Sequence, residues 1–410
     1  MPEIYFGGLD FGSSGARISI INENKELIYT DSNNDKYALR KPQSWRISCE
    51  SLLNNLAEDI KKNIFGLAIS GTSGTLLACD FNGCILGDAI PYNELCIGNK
   101  NLIEAIAGES NHLKTPYSSL AKALTLIDKY GENILLRHQS DWITGILLNS
   151  WQHGEEGNNI KLGWNLEFQS WPKNFKDLSW KKCLPSIVQS GAILGSINSH
   201  YSKKLNLNKN LLIVAGSTDS NAAFIASQID KRKGLTILGT TIVLKKIVNK
   251  PINYLGVTNH RINNKWICGG SSNAGCGILS QFFSDNEIKE LSRQLNTSKK
   301  TNLSLLPLNG IGERFPINDP FLKPILEPRP VSDALYLKAL FEGLASIELK
   351  GWRKIEELTG SFPEKIVTIG GGAKNPQWRS IRERILNIPI VTCRKSSSFG
   401  AAILAMNAKK

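Results

Sequence analysis

The sequence predicts a soluble α/β protein of two domains. Its 410 residues exceed the size at which one hydrophobic core usually stops growing. A strand, a turn of small residues and a second strand open the chain, and the same unit recurs past its midpoint. In both halves a buried strand also runs through small residues into a helix. The composition agrees, at 41% hydrophobic and 21% charged with 35 glycines, and no apolar run approaches the length that crosses a bilayer.

Ile4 to Asp31 reads "IYFGGLD", "FGSSG", "ARISIIN", "ENK" and "ELIYTD". Two apolar runs flank a Gly/Ser turn and a third follows a polar one, which is the pattern of an antiparallel meander. A helix is predicted from about Ser44 to Ile60. "FGLAISGTSGT" is then a buried strand leading into a glycine-rich loop, and "LLACDFNGCIL" a hairpin turning at Asn82-Gly83. "SSLAKALTLIDKYG" and "NILLRHQSDWITGILLNS" are predicted helical. "LLIVAGSTDSNAAFIAS" gives strand, turn and helix start, and "GLTILGTTIVLKKIV" a second pair of strands around Gly-Thr-Thr. The short charged stretch "DKRKG" at Asp230 to Gly234 places the boundary, giving domains of 1–230 and 231–410. Leu337, Leu340, Phe341, Leu344, Ile347 and Ile355 recur at helical spacing over Asp333 to Leu358, so they are core residues. The chain closes with a strand "KIVTIGGGA", a helix "PQWRSIRERIL", a strand "IPIVTC" and a helix "SFGAAILAMNA".

Four segments carry candidate chemistry. Gly12, Ser13, Ser14 and Gly15 form a turn that can aim backbone N–H groups and hydroxyls at an anion. Alone, such a turn is equally a plain hairpin. Its recurrence at Gly239, Thr240 and Thr241 suggests two turns that cradle a triphosphate. Asp10 ends the first strand beside the turn, where a phosphate would repel it unless Mg²⁺ intervened; the other reading is an Asp bonding its own backbone. Asp219 follows a buried strand and precedes a small-residue helix, so it reads as an N-cap, a task Ser217, Thr218 or Ser220 could also do, or as a general base. A sugar hydroxyl attacking phosphorus needs such a carboxylate within hydrogen-bond reach. Gly370-Gly371-Gly372, followed by Asn375-Pro376, lies between a strand and a helix. It is either a tight turn or a place where a flat ring lies against backbone.

Composition excludes several classes. The eight cysteines contain no CxxC pair, and residues such as Cys79 and Cys84 sit in apolar runs, so small buried hydrophobes are expected rather than disulfides or zinc. The formal charge is +13, but the lysine pairs 61–62, 203–204, 245–246 and 299–300 are scattered. A lysine-rich surface is expected, with a positive field that attracts a polyanion such as ATP and no nucleic-acid partner. Met1-Pro2-Glu3 enters a strand directly with no basic or apolar leader ahead of it, so a cytoplasmic protein with no membrane partner is expected. There is no GxSxG elbow and no HExxH, and the five His residues are scattered, so a hydrolase has little support.

Taken in order, "LDFGSSGAR", "SGTSGT", "GSTDSNAAF", "LGTTIVL" and "GGGAKNPQW" resemble the phosphate, sugar, base, second phosphate and adenosine motifs of the FGGY family of carbohydrate kinases. "GERFP" and "SFGAAILA" are similar to further family signatures. "SDWITG" and "NNIKLGW" bring the chain nearest to the short cyanobacterial and plant-chloroplast kinases of D-ribulose, which resemble xylulose kinases. The resemblance implies a two-domain actin-like (ribonuclease H-like) ATPase fold, each domain a mixed sheet flanked by helices, with an interdomain cleft. It implies ATP and Mg²⁺ as cofactors, a small sugar as substrate, a monomer or homodimer, and transfer to the terminal hydroxyl of a ketopentose. D-ribulose is the expected acceptor, with D-xylulose or another small sugar or polyol as alternative. By the same resemblance Asp10 organises Mg²⁺ and touches the sugar, and Gly12, Ser13 and Ser14 bind phosphate. Ser73 binds sugar, Asp219 is the base, Gly239, Thr240 and Thr241 hold phosphate, and Gly371, Gly372 and Asn375 hold the nucleotide.

One departure stands out. Many family members carry a Trp-x-Asp-x-Arg-like run after the strand near Ile90, whereas this chain reads Pro91-Tyr92-Asn93-Glu94-Leu95-Cys96. Glu94 can replace the Asp, but no Arg follows. A non-catalytic sugar sensor and an actin-like chaperone or filament ATPase are the readings from other classes; Asp10, Asp219 and the "GTSG" loop argue against both.

Overall fold

The computed structural model describes residues 3–34 and 37–409, so Met1, Pro2 and Lys410, which bound the two predicted domains, lie outside the described residues. The chain forms two compact units, one of Met1–Ala226, Arg261–Asn263 and Lys395–Lys410, the other of Ser227–His260 and Asn264–Arg394.

In the first unit the strands are β1 (Tyr5–Phe11), β2 (Ala16–Asn22), β3 (Leu27–Asn33), β4 (Ile64–Gly71), β5 (Leu76–Cys79), β6 (Leu135–His138), β7 (His153–Glu155), β8 (Ser186–Val188), β9 (Ile193–Ser196) and β10 (Leu212–Val214). Its main sheet has the order β3-β2-β1-β4-β10-β9. The predicted meander is present, with β1 antiparallel to β2 and β2 to β3. β1, β4 and β10 run parallel, so their C-terminal ends share one edge of the sheet. Leu9, Ile18, Ile20, Leu67, Ile69 and Ile213 are almost wholly buried between this sheet and its helices.

Several expectations are corrected here. The stretch "ILLRH" does not begin a helix: Leu135–His138 is β6, antiparallel to β5, and the helix occupies Gln139–Leu148. A short continuous apolar run does not distinguish strand from helix, and the pairing that decides it is distant in sequence. The predicted helix at 44–60 divides into Pro42–Asn54 and Glu58–Asn63. Cys79 is buried, but Cys84 is exposed just past the turn at Gly83. Lys61, Lys245 and Lys246 are buried rather than part of a lysine-rich surface.

In the second unit β11 (Lys233–Leu238) and β12 (Ile242–Val248) form the predicted hairpin around Gly239–Thr241. With β13 (Val257–Ile262), β14 (Lys265–Ser271), β15 (Lys365–Ile369) and β16 (Ile390–Thr392) they make a second sheet of order β13-β14-β12-β11-β15-β16. As in the first sheet, an antiparallel pair around a turn of small residues is followed by parallel strands, here β11, β15 and β16. The long helix is Asp333–Thr359, capped by Ser332. Its Phe341 stacks on Trp378 of the helix Pro376–Leu386, with ring centroids 4.9 Å apart.

The predicted second domain, 231–410, loses its last helix to the first unit. Ser397–Ala405 is built of small residues and lies against β1 and the helix Asp219–Ala226. A Cβ on Gly8 would come within 2.1 Å of Ala402 N and Ser398 O, and one on Gly400 within 1.8 Å of Ala222 O. Only hydrogen at those positions allows the approach. Among the described residues, no helix is long and apolar enough to cross a membrane.

Candidate active site

The parallel strands of the first sheet bring three of the predicted segments to one edge. Asp10 is the penultimate residue of β1, paired with Ser70 of β4 on one side and Arg17 of β2 on the other. The chain then turns through Gly12–Gly15, with Gly12 N–H donating to Gly15 O at 2.9 Å and Ser13 and Ser14 exposed. β4 ends in the Thr72–Ser73 turn, whose Thr72 N–H donates to Phe11 O at 3.1 Å. β10 leads to Asp219, and a bridge between Gly71 and Thr218 ties the two strand ends together.

Asp219 is the first residue of its helix and is half-buried. The cap belongs to its neighbour, since Thr218 Oγ1 accepts from Asn221 N–H at 3.2 Å. Asp219 Oδ1 accepts from Ser220 N–H at 2.7 Å.

Asp10 is 3% exposed, and Ser70 Oγ donates to its Oδ1 at 2.9 Å. Burial, and then the charge of Asp219, push its carboxyl up to about 7 against the weaker opposing pulls of Ser70 and Arg17. A buried carboxyl raised by the charge of a neighbouring carboxylate invites a cation. Among the described residues no group of three or more His, Cys, Asp or Glu could hold a metal ion. The pairing of Asp10 with the nearby charge of Asp219 fits an ion that takes one or two carboxylates and completes its shell with phosphate and water, as Mg²⁺ does.

Lys161 is the residue that sequence reasoning missed. It lies in the 3₁₀ turn Ile160–Leu162, and its Nζ donates to Ser73 O at 3.0 Å. Burial pushes its ammonium down, while the charge of Asp219 acts in the opposite direction. Lys161 thus sets a positive charge beside the predicted base and beneath the predicted sugar loop. Its segment, "NNIKLGW", was visible as a resemblance, but nothing local to the sequence marks its lysine for this place.

A second layer holds the loops. Tyr37 Oη donates to Gly12 O at 2.7 Å and accepts from Gln139 Nε2 at 2.8 Å, while Gln139 Oε1 accepts from Thr72 N–H at 2.9 Å. The Gly12 turn and the Thr72 loop are therefore tied through two side chains. Glu94, in the segment that departs from the family pattern, pairs with Arg40 at 2.5 Å.

In the second unit, β11 and β15 bring the other two segments together. Ile237 pairs with Ile369, so the Gly239–Thr241 turn and Gly370–Gly372 leave the same ends of adjacent parallel strands. Thr240 is exposed at the tip, and its carbonyl accepts from Asn309 Nδ2 at 2.9 Å. Gly370 has φ +98°, and a Cβ there would meet Leu238 O at 2.4 Å. Asn375 does not present a free amide. Its Oδ1 caps the following helix at Trp378 N–H, 2.9 Å away, and its Nδ2 donates to Ser292 Oγ at 2.8 Å.

Comparison with known proteins bears on the fold and on the C-terminal part of the chain. Residues 235–408 match the FGGY family of carbohydrate kinases, C-terminal domain. The xylulose kinase of Staphylococcus epidermidis is 25% identical over 434 aligned residues, covering 97% of this chain and 86% of that protein. A xyloylose kinase from Brucella ovis has the same fold, with a TM-score of 0.84 at 18% identity over 98% of this chain and 90% of the other. The glycerol kinase of Plasmodium falciparum with ADP gives 0.82 at 17% identity, over 99% and 90%. The chain thus shares its fold with solved sugar-kinase structures, and its C-terminal part matches a carbohydrate-kinase domain. The family match covers residues 235–408, less than half of the chain.

Proposed function

We propose that this chain transfers the γ-phosphate of ATP to the terminal hydroxyl of a ketopentose. The observation that carries the reading is the meeting of Asp10, the Thr72–Ser73 turn, Lys161 and Asp219 at one edge of the first sheet. In this reading Asp219 orients the attacking hydroxyl and accepts its proton, and the Ser73 loop with Lys161 binds the sugar. Asp10 would hold Mg²⁺, whose charge offsets that of the phosphates. Gly12, Ser13 and Ser14 contact phosphate in the first unit, and Gly239, Thr240 and Thr241 in the second. Gly371 and Gly372 lie against the nucleotide, while Asn375 shapes that turn by capping the helix.

Two acceptors are in contention. The likeness to short plant and cyanobacterial kinases supports D-ribulose, and relatives named xylulose kinase support D-xylulose at least as well. They differ in the configuration of one hydroxyl, so one or two hydrogen bonds, each of about 1 kcal/mol, decide between them. A coupled ADP-release assay across D-ribulose, D-xylulose, aldopentoses, polyols and glycerol tests the reading. Turnover is expected to be highest with one of the two ketopentoses; sugar binding without ADP release would make the chain a sensor instead.

A further inference from the structure

Behind the edge that carries Ser73, Lys161 and Asp219 lies a buried polar cluster that the reaction as proposed does not use. Glu155, Asn158, Ser190 and Ser217 are each no more than 3% exposed. Glu155, the last residue of β7, is the hub. Its Oε2 accepts from the backbone N–H and Nδ2 of Asn158, at 2.9 and 3.0 Å, capping the short helix Glu156–Asn159. That helix runs directly into the turn that carries Lys161. Its Oε1 accepts from Ser190 Oγ and, at 3.5 Å, from Ser217 Oγ, and the two hydroxyls lie 3.2 Å apart. Ser217 is two residues before Asp219, and its carbonyl accepts from Gly71 N–H at the end of β4. One carboxylate therefore grips both segments that deliver charged groups to the candidate site.

A buried carboxylate is a poor choice if stability alone is at stake, because an apolar side chain of similar volume avoids its desolvation. What a carboxylate offers is two acceptor oxygens in a fixed fork. Each is used here on a different segment. We propose that Glu155 is a positioning residue, holding the Lys161 turn and the Asp219 segment in fixed register so that ammonium and base meet the substrate together. The inference rests on the kinase reading of Asp219 and goes beyond it by naming what sets the base in place.

Substitutions separate positioning from simple packing. Glu155→Ala removes both arms; kcat is expected to fall about 10²-fold, as for a misplacement of about 1 Å at a reacting centre, with KM for ATP within about twofold of wild type. Glu155→Gln keeps both arms, since its carbonyl can face Asn158 and its amide can face Ser190 and Ser217, whose hydroxyls can turn to accept. Rescue to within about threefold of the wild-type kcat is expected. Ser217→Ala cuts only the Asp219 arm, and a drop of about tenfold is expected. Amide hydrogen exchange gives a readout that needs no activity. Faster exchange is expected at both 157–163 and 216–222 in Glu155→Ala, and at 216–222 alone in Ser217→Ala. A folded Glu155→Ala protein with near wild-type kcat, or with unchanged exchange in both segments, overturns the proposal. If Glu155→Ala does not fold, Ser217→Ala decides, and unchanged exchange with unchanged kcat overturns it. A wild-type protein with no sugar kinase activity sinks the functional reading, while the exchange pattern still judges the positioning.

Discussion

At Asp219 the sequence left a helix cap and a general base as competing roles, and the geometry separates them because Thr218 Oγ1 makes the cap. Replacing Asp219 with Asn therefore leaves the helix start intact and removes only the proton acceptor. Asp219→Asn is expected to lower kcat roughly 10²- to 10⁴-fold, with ATP affinity and melting temperature close to wild type. A near wild-type rate on the preferred ketopentose would move the base assignment to Asp10. Lys161 calls for a different signature, since its Nζ bonds the Ser73 carbonyl and its charge faces Asp219. Lys161→Met is expected to reduce kcat/KM for the sugar about 10- to 10²-fold, with KM for ATP unchanged. Steady-state kinetics with each substrate varied separately distinguishes this from general loss of fold, which would move both.

In the second unit, helices are fastened to their sheet by a buried ion pair. Arg382 donates to both oxygens of Glu348, at 2.6 and 2.7 Å, and to Thr368 Oγ1 of β15 at 3.0 Å, while Thr236 Oγ1 of β11 donates to Glu348 at 2.6 Å. Both charged residues are 1% exposed. Arg382→Met leaves Glu348 buried and unpaired, and urea unfolding is expected to show a loss of about 3–5 kcal/mol. Adding Glu348→Leu is expected to recover most of it, because the uncompensated charge goes too; a double variant as unstable as the single would refute that account. Neither residue was distinctive in the sequence. What was legible were the elements whose cause is local, such as the meander around Gly12–Gly15, the hairpin around Gly239–Thr241 and the helix over Asp333–Thr359. What was not legible depends on distant partners. β6 is a strand because β5 pairs with it, the last helix returns to β1 because Gly8 and Gly400 admit it, and Lys161 matters because of where Ser73 and Asp219 lie.

Across the whole molecule, the two sheets repeat one plan, an antiparallel pair about a turn of small residues followed by parallel strands. The halves share that plan in sequence at the turns, but they differ in what they bury. The first unit buries ionisable carboxyls behind its candidate site without a full counter-charge. Burial pushes Asp141 up to about 8, aided by the charge of Glu155, and burial pushes Glu155 up to about 7, aided by Glu156. The imidazole of His138, whose Nδ1 is 3.8 Å from Asp141 Oδ2, offers no compensation, because burial and then Lys161, Lys122 and Arg137 push it down to about 3. The charge of Arg137 draws Asp141 downward, against the larger effect of burial. A carboxyl near 4 when unfolded and near 7 or 8 when folded binds more protons in the folded state throughout that interval. Its contribution to stability is therefore greatest below about pH 4 and is lost as pH rises to about 8. Asp10 shifts in the same direction, and the net charge of +13 adds self-repulsion that grows on acidification. The informative measurement is thus a comparison, the melting temperature of ligand-free wild type and of the Asp141→Asn/Glu155→Gln variant from about pH 5.5 to 8.5 at constant ionic strength. The difference, wild type minus variant, is expected to become more negative as pH rises. A difference that stays flat or grows more positive would mean that these carboxyls ionise in the folded protein as freely as in the unfolded chain.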